Sequence, residues 1–386
     1  MIKNIYIFFS FLVLIVGFIF IRYEKIYIFL FSIPFFFLFF RSRLIKLLCV
    51  FFGFFLLFQT FFTPFYRYFK HGSVHYQQYP KNLSYIVNIL KDNIVYKSGH
   101  FYTDYNGFRT NQYIDYFGKK SDTYRIFLVG SNTLSSAYLG NNEQFSYKLQ
   151  TILKEKTGKN IQVINSAYPN HNLRQMKAVL IKIKNLNPDL IIIMPGLMAW
   201  NQFIKSFFDS QKGSFFYKYF QVFSFEDSFL FYFLDSLKKK IIGYDKTYFQ
   251  FSLPRGRQSI RNTYVSDEFK KDLDDCFKML SDFKIPVLFL TQPTAYLYKN
   301  ISNSFCFNPL NEDYYILDND MHKIVNIYNS YLINQVNKNG YDIFDSMSDV
   351  NLTESHFFND IELTVSGIDI YSRSLSKRIY PFIEKK

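Results

Sequence analysis

A chain of 386 residues is long enough for one domain of about 200 to 300 residues and a smaller appendage. Its net charge of +14 raises a nucleic-acid reading, but no basic cluster with interleaved aromatics accompanies it, so the charge belongs to a solvated basic surface or one facing anionic lipid or glycan. Three Cys exclude a disulfide-dense scaffold.

Three apolar runs open the chain, at residues 5–21, 26–40 and 47–63. Runs of about 15 to 20 residues match helices crossing a hydrocarbon layer about 30 Å thick. The middle run contains Pro34, which membrane helices tolerate. Lys3, Arg41, Arg43 and Lys46 fall on one side of such spans and Arg22, Glu24 and Lys25 on the other. The richer side is expected to be cytoplasmic, which places everything after residue 63 outside the cytoplasm of a bacterial-type inner or plasma membrane. Cys49 lies within a run, leaving Cys276 and Cys306 where a disulfide and two unpaired buried thiols are both open.

Residues 65–121 are aromatic and polar without firm periodicity and are read as a juxtamembrane linker and cap. From there the pattern is regular. "RIFLV", "IQVIN", "DLIIIM" and "PVLFLTQ" are expected strands, and helices are expected over 143–156, 173–185, 267–283, 322–339 and 363–380. Apolar runs alternating with amphipathic helices predict a parallel sheet covered on both faces, an α/β fold of three layers over 122–386. An aromatic-rich insertion at 202–265 interrupts it, expected as a helical lid or, alternatively, as a lipid- or partner-binding helix pair.

Ligands in such sheets bind at the carboxyl ends of the strands. The candidate cleft therefore comprises Gly130, Ser131, Asn132 and Thr133 after the first strand, Asn165, Ala167, Asn170 and His171 after the second, and Gly196 and Asn201 after the third. No His, Cys, Asp or Glu set has metal-ligand spacing, so no metal and no cofactor is expected. "GSNT" lacks the Gly-Lys-Ser/Thr of a phosphate loop.

The blocks "YRIFLVGSNT", "VINSAYPNHN", "NPDLIIIMPG", "IPVLFLTQP" and "ELTVSG", in this order, resemble the SGNH (GDSL-like) hydrolases over residues 106–383, and "NGFR" at 106–109 resembles the lead-in of exported members. The resemblance implies a Ser nucleophile after the first strand, a Gly and an Asn completing an oxyanion hole, and an Asp and His three residues apart before the last helix. Those five seats carry Asn132, Ala167, Met198, Asn359 and Glu362. Asn has no hydroxyl to attack with, a thioether donates nothing, and a carboxylate of pKa about 4.3 is a far weaker base than imidazole. A slip of one residue would seat Ser131 as nucleophile, with Glu362, His171 or His356 as base and the backbone N–H groups of Ser131 and Ala167 as the oxyanion site.

The preferred expectation is a membrane-anchored, extracytoplasmic SGNH-hydrolase-like pseudoenzyme that binds an envelope glycan or an acylated ligand, or scaffolds a membrane protein partner, in contact with membrane lipid and not with nucleic acid. An active esterase or O-acyltransferase using Ser131 is the alternative. A purely structural envelope or motor-associated protein is the third.

Overall fold

The computed structural model describes residues 78–91, 94–169, 171–196, 246–250, 256–258, 265–297, 314–316, 318–358 and 360–385. The three apolar runs, Cys49, Cys306 and most of the 202–265 insertion lie outside the described residues. Among the described residues no helix is long and apolar enough to cross a membrane.

Five strands form the central parallel sheet: β3 (Thr123–Gly130), β4 (Asn160–Asn165), β5 (Leu190–Met194), β8 (Val287–Leu290) and β10 (Asp342–Phe344), in the spatial order β10-β8-β5-β3-β4. The short apolar runs read from the sequence are strands because both their faces are buried. Phe127 and Val129 of β3, Ile191 and Ile193 of β5 and Phe289 of β8 enter one core, while Ile126, Leu128, Ile192 and Leu288 enter the other. Each such side chain, taken out of water, contributes about 1.5 to 3 kcal/mol.

Helices supply the outer layers. The first core is closed by α3 (Leu173–Ile183), α4 (Asp267–Ser281) and α5 (Asp318–Lys338), through Val179, Phe277 and Val325 among others. The second is closed by α2 (Phe145–Thr157) and α6 (Val365–Glu384), through Leu149, Tyr371 and Leu375. Their starts are specified locally: Ser266 caps α4 by accepting from the Phe269 N–H, and Thr364 caps α6 by accepting from the Gly367 N–H. Cys276, on α4, is a buried free thiol whose pKa burial pushes up to about 12, so it is inert packing rather than half of a disulfide.

Two regions differ from the sequence reading. Within 65–121 lies an antiparallel hairpin, β1 (Ser84–Lys91) and β2 (Ile94–Tyr102), extended by a parallel strand β6 (Lys246–Gln250) from the insertion. The insertion also holds β7 (Gly256–Gln258), paired with β9 (Tyr314–Ile316), so it is not a purely helical lid. The hairpin packs backbone to backbone on the domain at Gly99 and Gly140, where a Cβ on either residue would collide with the other's main chain.

Candidate functional site

In chain order the five strands of the central sheet run 2-1-3-4-5 across it, so the connection direction reverses between β3 and β5, whose ends pair Gly130 with Met194. Such a switch point leaves a crevice at the carboxyl edge, where open α/β sheets hold ligands. Every described candidate block converges on it.

The chain turns from β3 directly into α1 (Asn132–Ser135). Ser131 precedes this turn of helix and Asn132 is its first residue, both nearly sealed from solvent at 5% and 4% exposure. The Ser131 hydroxyl donates its one proton to Asn132 Oδ1 at 2.9 Å. Among the described residues no imidazole bonds to that hydroxyl, although a nucleophilic Ser needs a base within about 2.6 to 3.2 Å. Asn132 thus stands where the helix begins, and Ser131 is its neighbour in a satisfied turn. Thr133 Oγ1 donates to the Ile361 carbonyl at 2.9 Å, which brings the segment before α6 against this turn.

The second loop is zipped to β3. The Ser166 N–H and Oγ both donate to the Leu128 carbonyl, and the Tyr168 N–H donates to the Gly130 carbonyl. Asn165 Nδ2 donates to the Leu134 carbonyl and to Gln144 Oε1, while its Oδ1 accepts the Ala167 N–H at 3.1 Å. The donor expected at Ala167 for an oxyanion is therefore already engaged within the chain. His171 is fully buried, with its ring 5.1 Å from that of Tyr168.

Glu362 is buried in the loop before α6. It is 5% exposed, between the Ile361 carbonyl held by Thr133 and the Leu363 carbonyl that accepts from Tyr138 Oη at 2.6 Å. Burial first, and then the Glu362 charge, hold the Tyr138 phenol well above its usual pKa. His356 is spent locally: its Nδ1 accepts the Thr353 N–H at 2.8 Å in a one-turn cap, so it is not placed as a base for Ser131. Asn170, Met198, Asn201 and Asn359 lie outside the described residues.

Four residues absent from the sequence reading complete the site. Gln292, following β8, donates through Nε2 to Thr133 Oγ1 at 2.6 Å, and Tyr296 donates to the buried carboxylate of Asp360 at 2.6 Å. Tyr79 comes from before the hairpin. Its ring packs 4.7 Å from Tyr168, its hydroxyl is buried, and burial pushes its pKa up to about 12. The signal for Gln292 was its place directly after a strand, in "TQP"; nothing local marks Tyr79 or Asp360. Among the described residues no group of His, Cys, Asp and Glu could hold a metal ion.

No protein-family model matches the chain, and no curated protein matches it. Among solved structures, a GDSL-like lipase from Bacteroides thetaiotaomicron is 11% identical, with a TM-score of 0.38, over 67% of this chain and 88% of its own. An acetylxylan esterase from Geobacillus stearothermophilus is 12% identical, with a TM-score of 0.39, over 66% of this chain and 94% of its own. Likeness at that level adds no argument to the strand order and layers already described. The five-stranded parallel sheet between two helical layers is the α/β architecture that the sequence blocks imply.

Proposed function

We propose that this chain is a membrane-anchored, extracytoplasmic SGNH-hydrolase-like protein without hydrolase activity, whose crevice holds a ligand of the cell envelope, a glycan or an acylated molecule, rather than turning one over. The observation that carries the reading is the Ser131 hydroxyl, whose proton goes to Asn132 Oδ1 instead of to a base. The engaged Ala167 N–H supports it, because a tetrahedral oxyanion would have to displace Asn165 Oδ1 to use that donor. The three apolar runs and their flanking basic residues support the membrane anchorage and the outward placement of the domain.

The test is a fluorophosphonate serine probe applied to the purified full chain, with Ser131→Ala alongside and adducts mapped by mass spectrometry. No adduct at Ser131 is expected. Stoichiometric labelling there, absent from the variant, would overturn the reading in favour of an esterase or O-acyltransferase with a rebuilt base.

A further inference from the structure

Among the described residues, the two large apolar side chains most open to solvent are Tyr113 and Phe117, at 84% and 83% exposure. They stand on the loop that leads into β3, and that loop is held rather than frayed. Ile114 and Tyr116, at alternate positions, are buried in the core, which leaves Tyr113 and Phe117 on the outside. Asp115 Oδ1 accepts the N–H groups of Phe117 at 3.0 Å and Gly118 at 2.8 Å, and the Arg125 guanidinium donates to the Asp115 and Tyr116 carbonyls at 2.7 and 3.3 Å. A Phe kept in water forgoes about 1.5 to 3 kcal/mol of burial, which a loop with only packing to serve would recover by turning it in.

The loop marks one edge of the sheet. Lys119 Nζ donates to the Asn187 carbonyl at 3.2 Å and pairs with Asp189, just ahead of β5, so the loop lies at the amino ends of the strands, opposite the crevice. All five central strands run the same way, and each is entered past an exposed lysine: β3 past Lys120, β4 past Lys159, β5 past Lys184, β8 past Lys284 and β10 past Lys338. The exposed Asp115, Asp122 and Asp282 offset only part of that charge. Four of these lysines stand at or after helix ends, where the dipole favours a cation, so the charge by itself assigns no partner. The exposed aromatics beside it are what that dipole does not ask for. The chain also enters the domain here: the third apolar run ends at residue 63, and Gln78, the first described residue, accepts from Lys182 Nζ in the last turn of α3 at 2.7 Å.

We propose that the amino edge of the central sheet docks on an anionic bilayer surface, with Tyr113 and Phe117 set into the head-group layer and the lysines against its phosphates. This docking rests on the anchorage proposed above and adds which face of the domain meets lipid. Aromatic rings collect at membrane–water interfaces, and each Lys close to an anionic surface contributes about 1 kcal/mol. Anchored by its apolar runs, the domain meets that surface at high effective concentration, so contacts that are weak one by one hold it down. The crevice, at the opposite edge, then opens away from the membrane.

The experiment reconstitutes the full chain in vesicles of phosphatidylcholine and phosphatidylglycerol whose acyl chains carry bromine near the head group, in a Trp200→Phe background that removes the one native indole. Two variants each return an indole to an exposed position, Phe117→Trp at the amino edge and Met347→Trp in the loop after β10, at the opposite edge. Interfacial side chains lie about 5 to 10 Å into the head-group boundary, so Phe117→Trp is expected to lose roughly half of its emission to the bromines and Met347→Trp almost none. Leaving out phosphatidylglycerol should reduce the loss. Equal emission from the two variants, a greater loss from Met347→Trp, or quenching of Phe117→Trp undiminished without phosphatidylglycerol would overturn the proposal. Both positions are exposed, so neither substitution threatens folding. Flotation of the vesicles after alkaline carbonate separates the two readings. A chain that is stripped off sinks the anchorage and this surface together, whereas a chain that floats with the Phe117→Trp indole unquenched sinks this surface alone.

Discussion

Arg109 shows how one residue can hold a site it never touches chemically. Its guanidinium is fully buried and donates to the carbonyls of Ser135 at 2.5 Å, Ser136 at 2.9 Å and Leu139 at 2.7 Å, and to Asn141 Oδ1. The Phe101 ring lies 4.1 Å beneath it. Burial lowers its pKa to about 10, which still leaves it charged at neutral pH. Arg109→Met should destabilise the domain by about 3 kcal/mol, since three carbonyls each lose a donor at ~1 kcal/mol apiece, and thermal denaturation reads the loss. Arg109→Lys should rescue little, because a single ammonium cannot match the planar fork. In the sequence this residue stood out only as the end of "NGFR"; that it braces the whole turn from α1 to Asn141 depends on partners some thirty positions away, which no local pattern reveals.

At the scale of elements, what was legible followed the strength of the local signal. The helix expected over 173–185 is α3, whose start is written into four residues: Asn172 Oδ1 accepts the Gln175 N–H at 3.0 Å and Gln175 Oε1 accepts the Asn172 N–H at 2.8 Å. Asn172→Ala should therefore cost about 1 kcal/mol of stability, seen as a lowered midpoint in chemical denaturation with an unchanged slope. By contrast β10 spans only Asp342–Phe344, too short for any periodicity, and is a strand because β8 offers it an edge. The β1–β2 hairpin escaped detection for a related reason. Its sequence, "SYIVNILK" and "IVYKSGHFY", mixes polar and apolar residues without clean alternation, and the partner β6 lies far along the chain.

For the molecule as a whole, two cores on either side of one sheet carry the fold, and several tyrosines are sealed within or against them. Burial raises the pKa of Tyr79 to about 12 and also raises those of Tyr85, Tyr116, Tyr124 and Tyr138. A phenol whose folded pKa lies above its unfolded value of about 10 contributes stability that is fully present below pH ~10 and is lost as pH rises through the folded value. The melting temperature should accordingly fall between about pH 10 and 12, with tyrosinate absorbance appearing together with unfolding; early titration of all tyrosines in the folded chain would contradict this. The sequence by itself determined the α/β class, the four longest central strands and the order of the blocks at the crevice, because these depend on apolar periodicity and residue chemistry. Only the tertiary structure decided that the Ser131 proton goes to Asn132, that Asn165 has taken the Ala167 donor and that Gln292 crosses Gly196 to reach Thr133. Those are contacts between segments far apart in the chain, or choices among competing hydrogen-bond partners, and packing alone selects them.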